Sequence, residues 1–161
     1  MSEYGVQRMG RSYKGSSQTI AYIKDLAYQN LCFCDASITL DGFIPVEGSI
    51  AIWSLVDLSF VVQLVSFSEH ERRCLGKQDA VNLLEIMAVQ LASATFPSCE
   101  IKTDSQIAVI TCQKFGISAD WIPRELNAIA NKLAKNKKPG RGYIAFNSHE
   151  PERNWIDFIF E

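Results

Sequence analysis

Three carboxylates stand at positions where a soluble domain usually places apolar or solvated side chains. Asp35 interrupts the apolar run Leu31-Cys32-Phe33-Cys34-Asp35-Ala36-Ser37-Ile38, and alternation along a strand puts it on the face of Leu31 and Phe33. Glu85 falls beside Val81, Val89 and Ala92 on the wheel of a helix expected from about Gln78 to Ala94, toward one flank of its apolar sector. Asp104 closes the short strand Cys99-Glu100-Ile101-Lys102-Thr103 just before another helix. Singly, each has a plain structural explanation. Asp35 can cap a loop, Glu85 can reach solvent from a helix boundary, and Asp104 can serve as a helix N-cap worth about 1 kcal/mol, a role Ser105 can share. Together they point to metal chemistry. Ionised carboxylates are costly to desolvate without a cation or donors, and a bound divalent ion is the simplest compensation for three that converge.

The surrounding pattern predicts how they converge. Residues 1–30 read as a leader, mobile through its glycines and serines up to about residue 17, with a possible short helix from Ser17 to Asn30 carrying Ile20, Ile23, Leu26 and Ala27 at helical spacing. The strand through Asp35 ends near Thr39 and is followed by a loop over residues 40–48. Ser49 to Val56 and Phe60 to Ser68 are β-rich and form an antiparallel hairpin. A charged loop, Glu69-His70-Glu71-Arg72-Arg73, leads to the helix that bears Glu85. After Asp104 come a helix from Gln106 to Phe115 stopped by Gly116, a strand from Ser118 to Ile122, and a last helix opened by Pro123 and ended by Pro139-Gly140. Three locally joined strands followed by helix-linked strands predict an α/β fold. Its mixed sheet has five strands, three antiparallel and two parallel, with helices on both faces. Ligands in such sheets bind beyond the carboxyl ends of neighbouring strands where the winding reverses, which places Asp35 beside Asp104.

Composition narrows the partners. At 161 residues, 47% hydrophobic and 21% charged, the chain has the make-up of one ordinary globular domain. No apolar run is long enough to span a bilayer, so no membrane partner is expected. Five cysteines, an odd number without a C-x-x-C pair, suit reduced thiols in a cytoplasmic setting. Cys32 and Cys34 share a strand face and read as packed thiols rather than metal ligands. The net charge of -2 argues against gripping a polyanion by bulk charge, so any such binding must be local and metal-assisted. Residues 139–161 hold Tyr143, Phe146, Trp155, Phe158 and Phe160, an aromatic load expected to pack on the domain or on a second copy in a homodimer.

The ordered set Cys34-Asp35-Ala36-Ser37, Leu83-Leu84-Glu85-Ile86-Met87-Ala88, Ile101-Lys102-Thr103-Asp104-Ser105 and Trp121-Ile122-Pro123-Arg124-Glu125-Leu126-Asn127-Ala128-Ile129-Ala130-Asn131-Lys132-Leu133-Ala134 resembles the type 1 ribonuclease H family. The likeness is nearest to the plant-like and bacterial branch, whose last helix opens on a Pro-Arg-Glu-x-Asn-x-x-Ala-Asp-x-Leu-Ala pattern. It covers residues 31–136, within a ribonuclease H-like domain bounded at 31–138. The resemblance implies a metal-dependent endonuclease that cuts the RNA strand of RNA–DNA hybrids. Asp35, Glu85, Asp104 and the Asn131 position would hold two ions, Mg2+ or Mn2+, with Asp35 bridging them. Two ions about 3.5–4 Å apart activate water and stabilise the leaving oxygen of a phosphodiester, and oxygen ligands suit these metals. Hybrid recognition would run through groove shape and 2'-hydroxyls, with Ser37, Ser105 and Asn127 as short polar contacts and Arg124 on a phosphate.

Two departures qualify the likeness. The fourth family acid is replaced by Asn131, which offers a carbonyl oxygen but no charge. That fits a weakened natural enzyme, an inactive binding relative, or a substitution introduced to trap a complex. The family's usual glycine after the first aspartate is Ala36. His70 and His149 lie away from the motif and read as surface residues. Proofreading exonucleases usually carry Asp-x-Glu on the first strand, where this chain has Ser37, and the Asp-Ser and Asn-x-x-Ala elements speak against resolvases and transposases. The rival reading is a catalytically inactive ribonuclease H-like module that binds nucleic acid or protein.

Overall fold

The computed structural model describes residues 11–146 and 155–161. In chain order the elements are β1 (Arg11–Lys14), α1 (Ser17–Asp25), β2 (Leu31–Asp41), β3 (Ile44–Ser54), β4 (Ser59–Ser66), α2 (Glu69–Cys74), α3 (Lys77–Thr95), β5 (Glu100–Thr103), α4 (Gln106–Gln113), β6 (Ala119–Trp121), a 3-10 turn (Arg124–Leu126), α5 (Ala128–Asn136), β7 (Gly140–Phe146) and β8 (Trp155–Phe160).

Apolar residues on both faces of β2 make it a central strand, and helices cover it from both sides. On one face Leu31 and Phe33 join Ala51 and Trp53 of β3 beneath Ile129, Ala130 and Leu133 of α5. Phe33 and Trp53 stack with ring centroids 4.7 Å apart. On the other face Cys32, Cys34, Ile50 and Ile52 lie beneath Leu84, Ala88 and Val89 of α3 and Ala108 and Cys112 of α4. The five cysteines are free, and burial pushes the Cys32 thiol up to about 12. No helix among the described residues is long and apolar enough to cross a membrane.

The fold is α/β with a mixed sheet, but the sheet has eight strands rather than five, in the order β1-β8-β7-β4-β3-β2-β5-β6. Antiparallel β2–β3 and β3–β4 and parallel β2–β5 and β5–β6 supply the expected five. The additional three come from the two ends of the chain. Arg11–Lys14, expected in a mobile leader, pairs antiparallel with β8, while residues 1–10 lie outside the described region. The aromatic tail packs on its own sheet, with Ile156 and Phe158 at 0% exposure. Gly142 allows this close approach, because a Cβ there would come within 2.0 Å of the Ile159 carbonyl oxygen.

Local differences have local causes. The expected loop over 40–48 is a tight hairpin, because Gly42 takes φ 63 at the turn and a register shift at Thr39/Leu40 accommodates Pro45. The charged segment after β4 is the helix α2, closed by a capping box. Ser68 Oγ accepts the Glu71 N–H at 3.1 Å, and the Glu71 carboxylate accepts the Ser68 N–H at 2.8 Å.

Candidate metal centre

The three carboxylates meet where the sheet changes partner. β5 ends at Thr103 opposite Cys34, while β2 continues to Asp41. The chain leaves the sheet at Asp104, so Asp35 occupies a notch beside it. α3 brings Glu85 over the same notch from the opposite face. Gly48 permits that approach: a Cβ there would lie 2.4 Å from a Leu84 methyl, one residue before Glu85. One carboxylate oxygen from each of Asp35, Glu85 and Asp104 lies within 4.8 Å of the other two.

Their hydrogen bonds set their roles. Asp35 is 3% exposed; its Oδ1 accepts the Ala36 N–H at 2.8 Å and its Oδ2 accepts from Asn131 Nδ2 at 2.9 Å. Glu85 is 4% exposed, and its Oε2 is buried without a hydrogen-bond partner. Asp104 is relieved of helix capping, because Ser105 Oγ accepts the Ala108 N–H at 3.1 Å at the start of α4. The Trp121 indole donates to the Asp104 carbonyl at 3.2 Å, which ties the end of β6 to this turn.

Burial first, and charge repulsion after it, set the electrostatics. Two like charges 4.8 Å apart repel by about 3 kcal/mol at an effective dielectric near 20. Three such pairs would consume most of a domain's ordinary stability, so protons or a cation must neutralise them. Burial, then the charge and hydrogen bond of Asp35, then Asp104, push Glu85 up to about 10, against the opposing pull of the Ala36 N–H. Burial and Asp35 raise Asp104 to about 6, partly offset by the Asn127 amide and the Arg124 guanidinium. The donor set is all oxygen, and Glu85 Oε2 has no hydrogen-bond partner. These residues can hold a metal ion.

The remaining expected site residues divide into two groups. Asn131 joins the carboxylates directly, as a hydrogen-bond donor. Ser37 is half-buried two residues beyond Asp35 on the same strand face, and Arg124 is exposed on the 3-10 turn near Asp104. Ser105 and Asn127 serve the fold itself. Asn127 is 1% exposed and its amide donates to the Cys34 carbonyl at 2.9 Å, pinning the start of α5 to β2 one residue before Asp35. His70 is exposed on α2 next to Cys74, and His149 lies outside the described residues. Sequence reasoning passed over Trp121 and Ser49. Ser49 sits directly across from Ser37, fully buried, with its hydroxyl unpartnered. A serine inside a β-rich run carries little signal of that kind.

The chain matches no protein-family model and no curated protein with which it was compared.

Proposed function

We propose that this protein is a ribonuclease H-like nuclease that uses Mg2+ or Mn2+, two ions when fully loaded, to hydrolyse the RNA strand of RNA–DNA hybrids. The observation that carries this reading is the convergence of Asp35, Glu85 and Asp104, from three separate elements, with a buried and unpartnered Glu85 oxygen among them. The strand order of the central five and the positions of the acids within it support the same reading. Bound divalent ions supply an activated water and charge stabilisation for an in-line displacement at phosphorus.

The chain's own residues prepare for this. The Ala36 N–H and the Asn131 amide hold Asp35 in a fixed orientation as a hydrogen-bond acceptor. Glu85 and Asp104 would hold a bound cation in place of the protons that burial favours on them. Asn127 fixes α5, and hence Asn131, against the strand that bears Asp35. Arg124 offers a guanidinium beside Asp104, where a phosphate oxygen can be held.

A second reading, a non-catalytic binding module, is favoured by one contact. Asn131 gives Asp35 a hydrogen bond where the resemblance implies a fourth acid. One assay separates the two. Labelled RNA–DNA hybrid is incubated with each metal and with the parent protein, Asp35→Asn and Asn131→Asp. Cleavage by the parent that Asp35→Asn abolishes supports the nuclease. Cleavage by neither the parent nor Asn131→Asp overturns it in favour of the binding module.

A further inference from the structure

A second functional surface continues from the carboxylates along α5. From Leu126 to His149 the sequence holds no Asp or Glu, but it holds Lys132, Lys135, Lys137, Lys138 and Arg141. Among the described residues the ion pairs are Arg73 with Glu69 and Lys102 with Asp120, so none of these five cations is paired. Such concentration is notable in a chain of net charge -2. Lys132 and Lys138 lie over the Tyr13 and Phe160 rings, 5.9 Å and 4.2 Å from the centroids, which leaves Lys135 and Lys137 as the pair nearest the site.

The alignment is specific. Lys135 lies four residues after Asn131, hence on the same side of α5 and about 5–6 Å away between Cβ atoms. Asn131 itself touches Asp35. Lys137, at the left-handed end of the helix, donates to Thr39 Oγ1. Asp35, Ser37 and Thr39 alternate on one face of β2. Ser49 faces Ser37 across the β2–β3 ladder, and its buried hydroxyl has no partner. A row of hydroxyls therefore runs away from Asp35 beside the two lysines. From Asp35 to Thr39 it measures about 13 Å at roughly 3.3 Å per residue. One strand of a nucleic acid duplex carries a phosphate about every 3.4 Å along the axis, so the track spans more than one.

We propose that this track, with Lys135 and Lys137 beside Ser37 and Thr39, binds the sugar–phosphate backbone of the nucleic acid strand held at the carboxylate site. The inference rests on the nuclease reading for the identity of that strand. Lysine ammonium groups neutralise phosphates without reading sequence, and hydroxyls can bond phosphate or 2'-hydroxyl oxygens. Lys137 uses one donor on Thr39 and keeps two free.

The test measures binding of a labelled RNA–DNA hybrid by the full chain carrying Asp35→Asn, across a salt series. Adding Lys135→Gln and Lys137→Gln is expected to weaken binding about tenfold and to reduce the slope of log affinity against log salt by about 1.4–1.8, at 0.7–0.9 per phosphate contact. Lys24→Gln, in the last turn of α1, is expected to leave both unchanged. An unchanged slope in the lysine pair overturns the track, even if the parent cuts hybrid and the nuclease reading stands. Lysine-dependent hybrid binding by a parent that never cuts retains the track and rejects the nuclease. Tighter lysine-dependent binding of polyglutamate than of hybrid overturns the proposal in favour of an acidic protein partner. Unfolding curves on each variant exclude a folding defect as the cause of weaker binding.

Discussion

Glu85 concentrates the conflict between stability and binding at this site. Burial, and then the charge of Asp35, push its carboxyl from the ordinary 4.5 up to about 10, so the folded state holds an extra proton across that interval. Stability from this group is complete below pH 4.5 and is lost as pH rises toward 10. Asp104 adds a loss of the same sign between 3.8 and about 6. Metal-free protein is therefore expected to melt at a lower temperature at pH 9 than at pH 5. Millimolar Mg2+ or Mn2+ should flatten that dependence, because the cation replaces the proton. Differential scanning fluorimetry with and without chelator measures both. Glu85→Gln should raise the metal-free melting temperature at pH 8 and remove the response to metal; a melting curve that still responds would mean that Glu85 is not a ligand. Asn131→Asp should act in the opposite sense. A fourth carboxylate replaces the hydrogen bond to Asp35, so metal-free stability should fall by about 1–3 kcal/mol, while metal affinity and hybrid cleavage rise. The acids themselves could be found from sequence because each breaks an apolar pattern or ends a strand. The inward turn of Asn127 could not, since an asparagine at a helix start looks the same whether it faces solvent or the Cys34 carbonyl.

At the scale of elements, the site depends on how closely α3 lies on the sheet. Gly48 sits opposite Ile38 on β3, and a Cβ there would strike the Leu84 methyls and come within 3.0 Å of its Cγ. Leu84 is fully buried and has little room to move. Gly48→Ala should therefore push α3 outward, at about 1–3 kcal/mol for overpacking, and should carry Glu85 away from Asp35. Denaturant unfolding measures the first effect. A weakened Mn2+ titration, against a parent of equal concentration, measures the second. Normal metal affinity in a destabilised Gly48→Ala protein would show that Glu85 reaches its partners without this packing. Helix α3 itself was evident from its long apolar period. The hairpin at Gly42 and the helix α2 were not, because each depends on a few residues. A single positive-φ glycine turns the hairpin, and the Ser68–Glu71 capping box converts a charged segment into a helix that buries none of its side chains.

Across the whole molecule, the half that bears the carboxylates and the aromatic tail share one sheet. β7 pairs with β4, β8 with β7, and β1 with β8. This extension was hard to read beforehand, because β1 is four largely exposed residues and β7 opens on Gly140 and Gly142. Its aromatics gave the only strong signal, and they could as well have suited a second subunit. In the fold Phe158 is fully buried, while Tyr143 and Phe146 stay exposed. Phe158 packs edge-on to Phe60, with centroids 6.2 Å apart, and stacks on Tyr13. Phe60 belongs to the same buried cluster as Phe33 and Trp53, which lie beneath α5. A disturbance at Phe158 should therefore reach the core that supports Asn131 and Asp35. Phe158→Ala is expected to cost about 3–5 kcal/mol and to lower stability in a single transition. Trp fluorescence, which includes the central Trp53, and metal binding should be lost at the same denaturant concentration. Two separate transitions, with metal binding surviving the first, would instead make the tail an independent unit docked on a self-sufficient site. The continuous ladder from β6 to β1 favours one cooperative fold, in which the tail stabilises the carboxylate notch from the far edge of the sheet.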